Sequence, residues 1–187
     1  MLANFSISKI INVGGAKMSY TNREGQPQGV AKIDTNKLRE ILIAEIIAIN
    51  GYARHIANSN MQEINEVWHD IIKDEKKHYG MILSLLRKYD PCEYKGYADH
   101  KDDNLGHGLL MQTYKSSFDK QIILNDIRDD IKGEFEAVIL YEHQIVTIPY
   151  HDIRRTLYSI INDEKEHAEH LTQILLKYDE DDYDGLV

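Results

Sequence analysis

A five-residue charged segment occurs twice in this 187-residue chain, and it contains residue types that bind metal ions. Residues Asp74–His78 read DEKKH, and 89 positions later residues Asp163–His167 read DEKEH. Both copies contain Glu-x-x-His, and residues three apart lie on the same face of an α-helix. A glutamate and a histidine at this spacing can therefore bind one cation or bridge two.

The duplication is not confined to these segments. Residues 35–90 align with residues 124–179 without a gap, and 17 of the 56 aligned pairs are identical. The identical pairs include Glu45 with Glu134, which lie in the apolar stripe of the preceding helix. We therefore interpret the chain as two related helical hairpins that each supply half of one site.

The candidate metal ligands are the duplicated glutamates and histidines: Glu45, Glu75, His78, Glu134, Glu164 and His167. Four glutamates buried together without cations would be very costly. Two divalent ions would neutralise four carboxylates, and carboxylate with imidazole suits iron or manganese. The sequence therefore predicts a di-metal site formed by these six residues, which also makes them the candidate catalytic residues.

Four long helices are needed to bring these side chains together. Hydrophobic periodicity predicts helices at about residues 34–57, 61–89, 122–148 and 152–178. The predicted first N-cap is Asp34-Thr35, and Asp90-Pro91 should end the second helix.

The predicted chain divisions are an N-terminal extension at 1–33, a four-helix bundle at 34–179 (repeats 34–90 and 122–179, crossover 91–121) and an acidic tail at 180–187. A two-fold axis perpendicular to the bundle would place the start of the third helix at the opposite end from the end of the second. The connection must then span about 40 Å, which its length allows.

Composition excludes several partners. The formal charge of −9 and the pI of about 5.4 argue against a nucleic-acid partner, which would need a basic surface. The single cysteine, Cys92, excludes an internal disulfide and favours a cytoplasmic protein. No apolar run approaches the roughly 20 residues that span a bilayer, so we expect no membrane partner.

Other polar residues near the candidate ligands have alternative interpretations. Tyr52 and Tyr141 follow the stripe glutamates by seven residues. They are expected to be core tyrosines, and the alternative is a donor to the site or an electron relay. Asp74 and Asp163 either orient the histidines or are exposed acids. The histidines without a duplicate are expected on the surface: His55, His143 and His170.

The pattern of Glu45, Glu75-x-x-His78, Glu134 and Glu164-x-x-His167 resembles the ferritin-like di-iron carboxylate superfamily, nearest to rubrerythrin and bacterioferritin. The resemblance covers about residues 35–179 and includes no rubredoxin module. It implies an all-α, ferritin-like four-helix bundle with one long crossover. It also implies two bound iron ions, or iron with manganese, that react with oxygen or hydrogen peroxide.

The resemblance also has consequences for partners and roles. Without a rubredoxin module, peroxidase turnover would need an external electron donor. Rubrerythrins carry an extra glutamate where this chain has Ala137, which is a departure from their pattern. Our leading hypothesis makes Glu75 and Glu164 the bridging ligands.

The leading function hypothesis is a di-iron oxidoreductase of the peroxidase or ferroxidase type, related to oxidative stress and acting as a homo-oligomer. A first alternative is a ferroxidase or iron-storage protein associated with a protein shell. A second alternative is a metal-free helical adaptor, whose buried acids would have to be protonated or hydrated.

Overall fold

The computed structural model describes residues 32–91 and 119–180, together with the single residues Lys95 and Tyr183. These residues form an all-α structure with four long helices: α1 Lys32–Asn58, α2 Gln62–Tyr89, α3 Lys120–Thr147 and α4 His151–Tyr178. The predicted helices agree with these bounds to within about two residues. Most of the predicted extension (1–33), crossover (91–121) and acidic tail (180–187) lies outside the described residues.

Local sequence signals account for several helix ends. The backbone N–H of Asp90 donates to Leu86 O at 2.6 Å, and the helical chain of α2 stops there as predicted. At the start of α3 the side chain of Asp119 accepts a hydrogen bond of 2.8 Å from the backbone N–H of Gln121. This bond satisfies one of the free donors that every helix start exposes.

The predicted N-cap at Asp34-Thr35 is wrong. Helix α1 already begins at Lys32, and the side chains of Asp34 and Thr35 are buried within the first turn. Asp34 instead forms an ion pair of 3.4 Å with Lys37, one turn along the helix. A carboxylate in the first turn also interacts favourably with the positive end of the helix dipole, so it stabilises this end without occupying the cap position.

Helices α1 and α3 pack side by side and run in opposite directions. At one end Lys37 Nζ donates to Thr147 Oγ1 at 2.8 Å, which joins the start of α1 to the end of α3. At the other end His55 Nδ1 lies 3.1 Å from Asp130 Oδ2, which joins the end of α1 to the early part of α3.

Helices α2 and α4 form the corresponding antiparallel pair. Lys88 Nζ donates to Asp152 Oδ2 at 2.6 Å, and Tyr178 OH donates to Glu63 at 2.7 Å at the opposite end. Since α1 is antiparallel to both α2 and α3, the end of α2 and the start of α3 lie at opposite ends of the bundle. This arrangement agrees with the prediction of a connection between α2 and α3 that spans the length of the bundle.

The core consists of two apolar clusters, one at each end of the bundle. The first includes Leu38, Ile41, Leu86, Ile148, Ile153 and Leu157. The second includes Ile64, Trp68, Ile123, Ile127, Leu171 and Leu175. Burying each such side chain contributes about 1.5–3 kcal/mol, so the two clusters supply the main driving force for assembly. Between them lies a layer of buried acids and histidines.

Candidate metal centre

The polar layer contains all six predicted ligands: Glu45, Glu75, His78, Glu134, Glu164 and His167. None of them is more than 4% exposed. Each of the four helices contributes, because α1 and α3 supply one glutamate each while α2 and α4 supply one Glu-x-x-His pair each. The structure therefore brings together every residue that the sequence analysis selected for the site.

The six residues form two overlapping groups of possible ligands. In each group the ligand atoms lie within 4.8 Å of one another. One group contains Glu45, Glu75, His78 and Glu164, and the other contains Glu75, Glu134, Glu164 and His167. The glutamates of the two Glu-x-x-His motifs belong to both groups, so they are placed between two neighbouring positions that could hold a cation.

Both histidines direct the same ring nitrogen into the cluster. His78 Nδ1 lies 3.3 Å from Glu164 and 3.7 Å from Glu45. His167 Nδ1 lies 3.3 Å from Glu75 and 3.1 Å from Glu164. The ring centroids are 5.9 Å apart, so the two imidazoles lie close together beside the carboxylates.

Aspartates on the neighbouring helices approach the outer nitrogens of these rings. His78 Nε2 lies 3.0 Å from Asp163 Oδ2, a hydrogen-bonding distance that fixes the ring with Nδ1 toward the carboxylates. Asp74 Oδ2 lies 3.8 Å from His167 Nε2, which is too long for a hydrogen bond. The orienting role considered for both aspartates therefore fits Asp163, and the equivalent contact of Asp74 is looser.

Two tyrosines support the glutamates of the first and third helices. Tyr141 OH donates to Glu45 Oε1 at 2.7 Å, and Tyr52 OH donates to Glu134 Oε1. Each bond connects one hairpin to the other, and both tyrosines are buried. The tyrosines lie in the core as expected, and both hydroxyl groups also donate to candidate ligands, which is the alternative role considered for them.

Without a metal ion, bound protons offset the negative charge of the carboxylates in the cluster. Burial, and then Glu75, raises the pKa of Glu45 to about 10, and burial raises the pKa of Glu134 to about 8. Burial opposes protonation of His78, yet the nearby carboxylates of Glu164 and Glu75 raise its pKa to about 11. His167 is subject to the same opposition, and its pKa is raised to about 12, chiefly by Glu134.

Buried ligand atoms that have no hydrogen-bond partner indicate whether a metal ion fits the cluster. Four buried ligand atoms have no hydrogen-bond partner: Glu45 Oε2, Glu75 Oε1, His78 Nδ1 and Glu164 Oε1. All four belong to one of the two groups described above. Leaving a buried acceptor unpaired costs about 1–3 kcal/mol, whereas a divalent cation would coordinate all four atoms together. The donor set therefore fits a metal ion.

A second buried polar group was missed by the sequence analysis. The prediction that His55 lies on the surface is wrong, because its side chain is buried against Asp130 and Trp68. Asp130 Oδ2 accepts a hydrogen bond of 2.8 Å from Trp68 Nε1 and lies 3.1 Å from His55 Nδ1. Asp130 precedes Glu134 by one helical turn, and that i,i+4 spacing was the signal available in the sequence. His143 and His170 are exposed, as predicted.

Two cavities reach the cluster from opposite faces of the bundle. The larger lies between α1 and α3, has a volume of about 430 Å³ and is lined by all four glutamates of the cluster together with Tyr52 and Tyr141. The smaller lies between α2 and α4, has a volume of about 200 Å³ and reaches His167 past Asp74 and Asp163. Small molecules therefore have a route to the candidate ligands from each face.

Comparisons of the chain with family models, with curated proteins and with solved structures gave no match. Among the helices that the structure describes, none combines the length and the apolar character needed to cross a membrane.

Proposed function

We propose that this chain is a ferritin-like di-metal carboxylate protein that binds two iron ions, or iron with manganese, and reacts with oxygen or hydrogen peroxide. The observation that carries the proposal is the pair of overlapping ligand groups, which share Glu75 and Glu164. The antiparallel pairing of α1 with α3 and the opposite positions of Tyr89 and Lys120 also suit a one-crossover bundle of that type.

Each residue of the cluster has a distinct role in the proposal. Glu75 and Glu164 would be shared by the two metal ions because both belong to both groups. Glu45 and Glu134 would each hold one ion, and each ion would take one of the two histidines. Tyr141 holds Glu45 and Tyr52 holds Glu134 in place.

Two ferrous ions at this site would supply electrons and Lewis acidity to oxygen or peroxide. The apolar clusters above and below the polar layer exclude bulk water, and Asp163 keeps Nδ1 of His78 directed at the metal position. Repeated turnover as a peroxidase would need an electron donor that returns the metal ions to the ferrous state. The same site would serve a ferroxidase, in which ferrous iron is the substrate.

The test is the metal content of protein purified without chelator, followed by anaerobic titration with ferrous iron. The informative variant combines Glu75→Gln with Glu164→Gln, which keeps the shape of both side chains but removes the shared carboxylates. We expect two metal ions per chain in the unchanged protein and loss of both in the variant. Stopped-flow absorbance with peroxide and with oxygen then ranks the two oxidants.

The matched control combines Glu66→Gln with Glu169→Gln, because these glutamates lie on the same two helices and are exposed. It changes the net charge equally and should keep both metal ions. Circular dichroism checks that every variant is helical. A Glu75/Glu164 variant that is folded and still binds two metal ions would contradict the assignment of these ligands. An unchanged protein that binds no metal ion would contradict the proposal and favour a metal-free adaptor.

A further inference from the structure

The larger cavity between α1 and α3 is bigger than oxygen or peroxide requires. Its volume of about 430 Å³ falls within the range of about 300–1,000 Å³ that is typical of sites for organic ligands. A water molecule in the liquid occupies only about 30 Å³. The cavity can therefore hold a molecule with a carbon skeleton of several atoms.

The floor of this cavity is the candidate metal centre. Glu45, Glu75 and Glu164 all line it, and each has a buried carboxylate oxygen without a hydrogen-bond partner. None of the three is more than 2% exposed. A molecule in the cavity would consequently lie directly against the atoms proposed to hold the metal ions.

One part of the cavity is apolar and has room created by small residues. Its walls there include Ile47, Ala48 and Leu140. At Gly51, which also lines the cavity, an added Cβ would meet no other atom within 4 Å. The position related to Gly51 by the internal repeat is Leu140, so the chain has a large side chain in one half and open space in the other.

The other end of the cavity carries acidic side chains. Asp126, Asp129 and Asp130 line it near the start of α3, and the basic groups facing them are Arg54 and His55 from α1. Between Asp126 and Leu140 the helix rises about 21 Å, so the acidic and apolar ends are well separated. The formal charge of −9 on the whole chain adds to the attraction for a cation.

We propose that this cavity binds an organic cation with an apolar chain, of the alkylammonium class, with its charged group at Asp126 and Asp129 and its chain over the candidate metal centre. The position of its chain next to metal ions rests on the proposed function. The assignment of the cavity as its binding site rests on the lining residues alone.

The test is isothermal titration of the full-length protein, metal-free and as purified, with n-octylammonium, n-octanol and n-octanoate. These probes share one chain and differ in charge. The sole tryptophan, Trp68, provides a second readout because its indole N–H donates to Asp130, which lines the cavity. We expect the ammonium probe to bind at least about tenfold more tightly than the carboxylate probe and to change the Trp68 fluorescence.

Two variants locate the probe. Gly51→Leu reproduces the residue of the related position and adds a large side chain to the wall of the cavity, so it should abolish binding. Leucine also has a higher helix propensity than glycine, so the melting temperature should not fall. The control is Gly80→Leu, since Gly80 is exposed on α2, away from the cavity, and has the same open space around an added Cβ.

The charge preference is tested by combining Asp126→Asn with Asp129→Asn, which should bring the affinities for the ammonium and carboxylate probes within about threefold of each other. Absence of binding by any probe, equal affinity for all three probes, or full binding by the Gly51→Leu variant would overturn the inference. Failure of the proposed function would appear separately, as absence of metal uptake in a protein that still binds the ammonium probe.

Discussion

At the scale of single residues, the six candidate ligands compete for protons as well as for metal ions. Nearby carboxylates raise the pKa of His78 to about 11 and that of His167 to about 12, even though burial acts in the opposite direction. Burial raises the pKa of Glu45 to about 10 and that of Glu134 to about 8. Below about pH 8, all four groups are therefore protonated in the metal-free chain.

Metal binding should consequently release about four protons per chain near pH 7, because ligands bind metals in their deprotonated forms. The apparent affinity should rise with pH up to about 8, where Glu134 begins to lose its proton, and more gently above it. Manganese(II) is a suitable probe because it is stable to air. The measurement is isothermal titration in buffers of different ionisation enthalpy, and an affinity independent of pH between 6 and 8 would contradict this assignment of protons.

At the scale of helices, each hairpin is closed by an arginine from its first helix and an aspartate just after its second. Arg39 Nη2 donates to Asp90 Oδ2 at 2.5 Å, and the repeat places Arg128 against Asp179 in the same way. The side chain of Asp90 is fully buried and that of Asp179 nearly so. These pairs hold the helix ends in register, and that register sets the heights of the ligands within the polar layer.

Replacing Arg39 by methionine should lower the free energy of unfolding by about 1–3 kcal/mol, because a buried carboxylate loses a charged donor. Arg128→Met should cost less, since the Arg128 side chain is 34% exposed whereas that of Arg39 is 21% exposed. The control is Lys73→Met, whose ion pair with Asp70 is exposed on both sides and should contribute less than about 1 kcal/mol. Urea unfolding curves rank the three, and an Arg39 variant as stable as the Lys73 variant would show that the pair does not hold the hairpin.

The helices and the six candidate ligands were predictable from sequence because both depend on local periodicity and on an internal repeat. A strip of apolar residues determines which face of a helix is buried, and Glu45 and Glu134 interrupt that strip. Contacts between hairpins were harder to predict. The bonds from Tyr52 to Glu134 and from Tyr141 to Glu45 join residues 82 and 96 positions apart, and sequence spacing carries no information about them.

The same limit explains the errors. His55 has no duplicate, so the repeat gave no reason to place it inside the bundle, and its burial depends on Trp68 and Asp130 from two other helices. The start of α1 was misplaced because Asp34 is a common capping residue and the preceding residues have no helical periodicity. Signals within one helix turn were reliable for this chain when they agreed with the repeat.

At the scale of the whole molecule, the direction of α3 determines how long its connection to α2 must be. Tyr89 and Lys120 lie at opposite ends of a bundle whose 28-residue helices are about 42 Å long. If residues 92–118 are replaced by four residues of a Gly/Ser linker, the chain between the helices can reach only about 27 Å even when fully extended. The two hairpins of one chain then cannot pack together.

The hairpins of this variant should instead exchange with those of a second chain. The exchange preserves all four helix interfaces and the six-residue cluster in a species of twice the unchanged mass. A Gly/Ser linker as long as the segment it replaces should restore the unchanged mass. Sedimentation velocity at low protein concentration measures the mass of both variants. A variant with the four-residue linker that is helical and has the unchanged mass would contradict this arrangement, because the end of α2 and the start of α3 would then have to lie at the same end of the bundle.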